Sequence, residues 1–178
     1  GMQRGAEGTP EAGWLVANGR TIPMPDASID YITNLGSLEH YDEPVDGVRE
    51  IARVLKPAGL AAILLPNAFG LMGNIRYVRR HGEIFDDSQP LQRYATRNTW
   101  ETMLRAGGLD ILRLVPWGEV NYPRTPEDTR FMLAHPQKLV RAALAAATPV
   151  NLTNHFIFIC RPAKHVPDES YYPMLPYA

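Results

Sequence analysis

The sequence predicts an α/β fold on a parallel sheet, and three observations carry that prediction. Asp30–Leu35 is β-branched and aromatic, the composition of a strand. Leu60–Leu65 is a continuous apolar run, as in strands covered on both faces. Between them Val45, Val48, Ile51, Ala52 and Leu55 recur along one helical face. Strand, amphipathic helix and strand in that order make a βαβ unit.

The elements follow in chain order. Residues 1–13 are small and polar and read as a loose lead-in. Trp14–Ala17 is a short apolar run stopped by Asn18-Gly19, the pattern of a strand and its turn. Pro23 and Pro25 keep residues 22–25 out of a helix. The strand from Asp30 ends near Gly36. Asp42 then reads as an N-cap with Pro44 in the first turn, and Lys56-Pro57-Ala58-Gly59 stops the helix. Pro66-Asn67 closes the next strand.

A short helix fits around Ile75–Arg80, and residues 83–95 read as loop. Thr96 can cap a helix that turns Trp100, Met103 and Leu104 inward and stops at Gly107-Gly108; Leu109–Val115 follows as a strand. Thr125-Pro126-Glu127-Asp128 opens a helix with an acidic first turn. Pro136 breaks it, and a second piece runs to Ala147. Leu152–Cys160 is the last strand. The domain is expected over residues 14–161, with residues 162–178 a Pro- and Tyr-rich extended tail.

Composition excludes several classes. The chain has 178 residues, enough for one domain with a core. Its 18 Lys+Arg against 19 Asp+Glu argue against a basic nucleic-acid surface. Cys160 stands alone, so no internal disulfide forms, no CxxC pair holds zinc, and the thiol reads as core. The longest apolar run is too short to span a bilayer, and residues 1–4 lack a signal core. A cytoplasmic protein without membrane or nucleic-acid partners is expected. Neither H-E-x-x-H nor G-x-S-x-G occurs, and the absence of a nucleophile elbow and of a dinucleotide fingerprint disfavours an unrelated Rossmann-like hydrolase or reductase. None of the 14 glycines forms a G-x-G pair.

The run from Ile22 to Asn67 resembles the second half of a class I S-adenosylmethionine-dependent methyltransferase of the type 11 kind. Pro23, Pro25, Asp26 and Asp30 match the family's loop before a strand, and Glu39-His40 the pair that follows it. Glu50, Arg53, Leu55, Lys56, Pro57 and Gly59 match its helix end, with Ala58 where the family has glycine. Arg93-Tyr94-Ala95-Thr96, Trp100, Leu104 and Gly107-Gly108-Leu109 resemble a later segment.

The resemblance implies a partial Rossmann-like sheet of parallel strands plus a C-terminal antiparallel strand, with helices on both faces. Trp14–Ala17 would be the family's third strand. The first two family strands, and the Gly-rich cofactor turn, are therefore expected to be missing.

The same resemblance implies S-adenosylmethionine as cofactor and a small-molecule methyl acceptor. Asn18 and Gly19 fall where relatives hold adenine, though Asn-Gly is also a turn former. Asn34, Leu35 and Gly36 end the strand that meets the sulfonium end of the cofactor. His40 could be a general base on an acceptor hydroxyl, or a helix-entry residue bonded to backbone. Asn67, Arg93 and Tyr94 are candidate acceptor-side residues; the other reading is a turn cap and a solvated cation. Arg76, Tyr77, Arg79 and Arg80 form a basic cluster, either a grip for an acidic substrate or a polar helix face. His81, His135, His155 and His165 have no metal-ligand spacing.

Two functions are consistent with these residues. One is a truncated methyltransferase, weak or inactive as an isolated chain. The other is a non-catalytic α/β binding module. Without its family neighbour, the Asp30–Leu35 strand is an exposed hydrophobic edge, which natural sheets pair or cover. Either a homodimer through that edge or Trp14–Ala17 folded over it is expected.

Overall fold

The computed structural model describes residues 13–86, 88–118 and 123–164. Its strands are β1 (Ile29–Leu35), β2 (Leu55–Pro66), β3 (Leu109–Trp117) and β4 (His155–Pro162), in the sheet order β1-β2-β4-β3. β1 and β2 run parallel, and β4 is antiparallel to both β2 and β3. That is the expected parallel set with one C-terminal antiparallel strand. Register slips between Ile29 and Tyr31, which pair with Leu55 and Leu60, so Lys56–Gly59 stands out of the ladder.

Helix α1 (Pro44–Val54) joins the parallel pair, with Pro44 in its first turn. Glu43, rather than Asp42, occupies the N-cap. The Asp42 carboxylate is drawn instead to Arg20, whose hydrogen bond holds it below the usual carboxylate range. Helix α3 (Arg97–Ala106) begins as expected, Thr96 Oγ1 accepting from the Thr99 amide at 3.3 Å. Both helices pack on one face of the sheet. Val48 and Ile51 of α1 and Trp100, Met103 and Leu104 of α3 meet Ala61, Ile63, Leu65, Phe156, Phe158 and Cys160 in a single core. Trp100 is fully buried and donates its indole N–H to the Pro66 carbonyl at 2.8 Å. Burial pushes the Cys160 thiol up to about 12, so it stays a protonated core side chain. On the other face Tyr31 and Leu35 of β1 are exposed, by 77% and 64%.

Helix α2 (Asn74–His81) follows the loop after β2. Helix α4 (Pro126–Leu133) opens on the Thr125–Asp128 capping box, and α5 (Pro136–Ala147) starts at its proline. These last two pack on each other through Met132, Ala142 and Ala145.

Three expectations change. Trp14–Ala17 forms no strand: Trp14, Leu15 and Val16 are exposed, and the nearby pairing is a bridge between Asn18 and Thr21 that closes a turn. Nor does that segment cover β1, which pairs with β2 alone among the described residues. An apolar run becomes a strand only when another strand offers its hydrogen bonds. The last strand starts at His155, after a 3-10 turn at Val150–Leu152, because the carbonyls of Asn151 and Thr153 are engaged by the Asn67 amide. The expected lead-in and tail lie outside the described residues, apart from Gly13 and residues 162–164.

Candidate functional site

Ligands of open α/β sheets bind beyond the carboxyl ends of the parallel strands. A cavity of about 660 Å³ opens there, within the range of small-molecule sites. Gly36 after β1, Pro66 at the end of β2 with Asn67 just beyond it, and His155 at the start of β4 line its sheet side. Glu39 and His40 border it from the 3-10 turn Leu38–His40, and Arg76, Tyr77, Arg80 and His81 from α2. Phe85, Gln89, Gln92 and Tyr94 close it from the loop before α3.

Local sequence explains this shape. Gly36 has φ +73°, a backbone conformation that favours glycine, and its N–H donates to Leu64 at 3.3 Å. Asn34 Oδ1 accepts from Ser37 Oγ at 2.9 Å and the Leu38 amide at 3.3 Å, and so folds the turn back toward the sheet. Leu38 anchors that turn in the core, fully buried. Glu39 is also buried, with Oε1 3.9 Å from His40 Nε2. His40 Nδ1 lies 2.6 Å from the Leu91 carbonyl oxygen, which assigns the proton to Nδ1 and leaves Nε2 as the basic nitrogen.

Asn67 pins the other side of the cavity. Its amide donates to Asn151 at 2.9 Å and Thr153 at 2.7 Å, and its Oδ1 accepts from the Phe69 amide at 3.0 Å. Its own carbonyl accepts from Asn74 Nδ2 at 3.2 Å, tying the start of α2 to the end of β2.

Of the residues singled out from sequence, Gly36, His40, Asn67 and Tyr94 line the cavity together. Asn18, Gly19, Asn34, Leu35 and Arg93 do not. Asn18 is exposed, with Oδ1 accepting from the Arg20 amide at 3.0 Å. Gly19 lies against the Tyr41 ring, which also leaves no space for a Cβ at Gly47. Leu35 faces outward. Arg93 donates to the backbone carbonyls of Tyr41 and Asp42, the latter at 2.8 Å. The basic cluster divides: Arg76, Tyr77 and Arg80 line the cavity and Arg79 does not. Helical spacing predicts that split, since 76/80 and 77/81 are i,i+4 pairs. Phe85, Gln89 and Gln92 were missed because a loop carries no periodicity to mark an inward face.

The donors present fit part of an S-adenosylmethionine site. Gly36 offers backbone approach at the end of β1, where the sulfonium end of the cofactor is expected, but Asn18, expected to hold adenine, is exposed and lies outside the cavity. A complete cradle for the cofactor is not assembled among them. Also among the described residues, no helix is long and apolar enough to cross a membrane.

Residues 2–63 match a family model described as a methyltransferase domain. A Mycobacterium tuberculosis protein named "Probable S-adenosylmethionine-dependent methyltransferase" is 40% identical over 58 residues, covering 33% of this chain and 21% of that protein. The 27-O-demethylrifamycin SV methyltransferase of Amycolatopsis mediterranei is 37% identical over 71 residues, 38% of this chain and 26% of its own. The chain thus matches about a fifth to a quarter of these relatives' length. Among solved structures, an S-adenosylmethionine-dependent methyltransferase from Mesorhizobium loti superposes with TM-score 0.58 at 12% identity, over 90% of this chain and 74% of that one. The cyclase SpnF superposes with TM-score 0.55 at 21% identity, over 91% and 61%. These two likenesses establish a Rossmann-like fold, which by itself does not fix a reaction.

Proposed function

We propose that this chain, whose residues 2–63 match a methyltransferase-domain family model, belongs to the class I S-adenosylmethionine-dependent methyltransferases and that its 660 Å³ cavity is the acceptor pocket of a cytoplasmic methyltransferase. The acceptor is a small molecule whose oxygen, nitrogen or carbon atom receives the methyl group. The observation that carries this reading is position. The matched segment ends at Ile63 in β2, and the same strand delivers Pro66 and Asn67 to the cavity three residues later.

S-adenosylmethionine, when bound, supplies an electrophilic methyl group; alignment and exclusion of water are the protein's share. In this reading Tyr94 and Asn67 border the acceptor, and His40 Nε2 takes a proton from an acceptor hydroxyl. Gly36 is the one member of the expected cofactor set that lines the cavity, so cofactor affinity of the chain alone is weak. Calorimetric titration with S-adenosylmethionine tests this: a dissociation constant weaker than about 100 μM is expected, and one near 1 μM contradicts it.

A second reading rests on β1. Its outer edge is unpaired among the described residues, and Tyr31 and Leu35 beside it are exposed. A non-catalytic module that dimerises through this edge would pair those hydrogen-bonding groups. Light scattering decides it: a mass twice that of the chain supports the dimer, and a monomer eliminates it.

A further inference from the structure

The cavity wall formed by α2 has a chemistry that neither the family nor the proposed reaction requires. Arg76 and Arg80, one helical turn apart, both line the cavity, and Arg79 between them does not. Among the described residues no carboxylate forms an ion pair with either guanidinium. Beside them Tyr77 meets His81 with the two rings tilted by 35° at 4.4 Å between centroids, and Phe85 meets Tyr77 edge-on at 5.4 Å. Among the described residues the one carboxylate lining the cavity, Glu39, comes from a different element, is buried, and lies beside His40. The cavity therefore has a cationic, aromatic wall on α2 and a carboxylate–imidazole wall on the turn after β1.

We infer that the small molecule taken by this cavity is a planar aromatic anion, a carboxylate or phosphate held by Arg76 and Arg80 with its ring against Tyr77 and Phe85. The guanidinium forks match either anion, and the aromatic edges and faces match a flat ring. The anion fixes which end of the ligand points toward His40. The inference rests on the acceptor-pocket reading for its biological meaning, and on the α2 side chains for its chemistry.

The test uses the full chain without cofactor, so its outcome is separate from that of the methyltransferase reading. 4-Hydroxybenzoate, phenyl phosphate and neutral 4-hydroxybenzamide are titrated at low salt and followed by NMR. Both anions are expected to bind about fivefold more tightly than the amide, a modest ratio because the arginines are exposed to solvent. The ratio between the two anions identifies the preferred headgroup, and 0.5 M salt narrows both advantages over the amide. The double variant Arg76→Gln/Arg80→Gln loses the preference, Arg76→Lys/Arg80→Lys keeps most of it, and Arg79→Gln leaves it unchanged. Circular dichroism establishes that each variant is folded. Equal affinity for the amide and the anions, or an equal loss in Arg79→Gln, overturns the inference.

Discussion

Arg53 and Glu50 face each other through two parallel hydrogen bonds, Nε to Oε1 and Nη2 to Oε2, each 2.8 Å. The same guanidinium donates to the carbonyls of Ile22 at 2.8 Å and Met24 at 3.0 Å, and Glu50 Oε2 accepts from the Ile22 amide at 2.8 Å. Asp26 completes the set as a second carboxylate partner of Arg53. One side-chain pair on α1 thus holds the whole Ile22–Asp26 loop. Arg53→Ala is expected to lower the thermal midpoint, and Arg53→Lys to recover only part of it, because a single ammonium cannot span the fork. Equal midpoints for Arg53→Lys and the parent chain would contradict this role.

The same pair sets a pH dependence. The Arg53 hydrogen bond first, and then the Ile22 amide, hold the Glu50 carboxyl below its ordinary range. A depressed carboxylate contributes stability that is present above its unfolded value, roughly pH 4.3, and is lost as the pH falls through the folded one. Urea unfolding of the parent chain and Glu50→Gln should therefore differ at pH 7 and converge toward pH 3. A gap that stays constant from pH 7 to pH 3 assigns the effect to something other than this carboxylate.

Trp100 joins α3 to the end of β2 and sits directly behind the cavity floor. Trp100→Phe keeps most of the buried ring but leaves the Pro66 carbonyl without its 2.8 Å donor. A loss of about 2 kcal/mol in urea unfolding is expected. A change below about 0.5 kcal/mol would show that the carbonyl finds another partner.

Asn67 separates a contact with ligand from a role in building the cavity. Its amide is buried, and its donor and acceptor atoms are all engaged with backbone. Asn67→Ala should cost about 2–4 kcal/mol of stability, since it leaves the buried Thr153 carbonyl and the Phe69 amide without their partner. Asn67→Asp should cost at least as much, because its carboxylate would face two carbonyl oxygens. Normal stability with altered ligand affinity would reverse the assignment.

The parts of this molecule that were legible in sequence are those whose cause is local. The βαβ unit, the Thr96 cap, the Thr125 opening and the break at Pro136 depend on neighbours within a few residues, and all are found where expected. Trp14–Ala17 depends on a distant partner strand, which a local apolar pattern cannot supply. Site residues divide in the same way. Asn34 and Arg93 carry the polar groups a ligand site needs, but those groups bond the nearby turn and the Tyr41–Asp42 backbone. A sequence shows that a side chain can donate or accept, and the fold decides to what. The residues behind the family resemblance illustrate this most clearly: Asp26, Glu50 and Arg53 hold a loop together, and Asp30 pairs with Lys56.

The central proposal is that the carboxyl-end cavity is a methyltransferase acceptor pocket beside a cofactor site that the described residues do not complete. Its most direct test is an NMR titration of the isotope-labelled chain with S-adenosylhomocysteine, the demethylated cofactor. The account predicts weak binding, with a dissociation constant above about 100 μM, and shifts centred on Gly36, Glu39 and His40 at the cavity mouth. Binding near 1 μM, or shifts centred away from the carboxyl ends of β1 and β2, would contradict it.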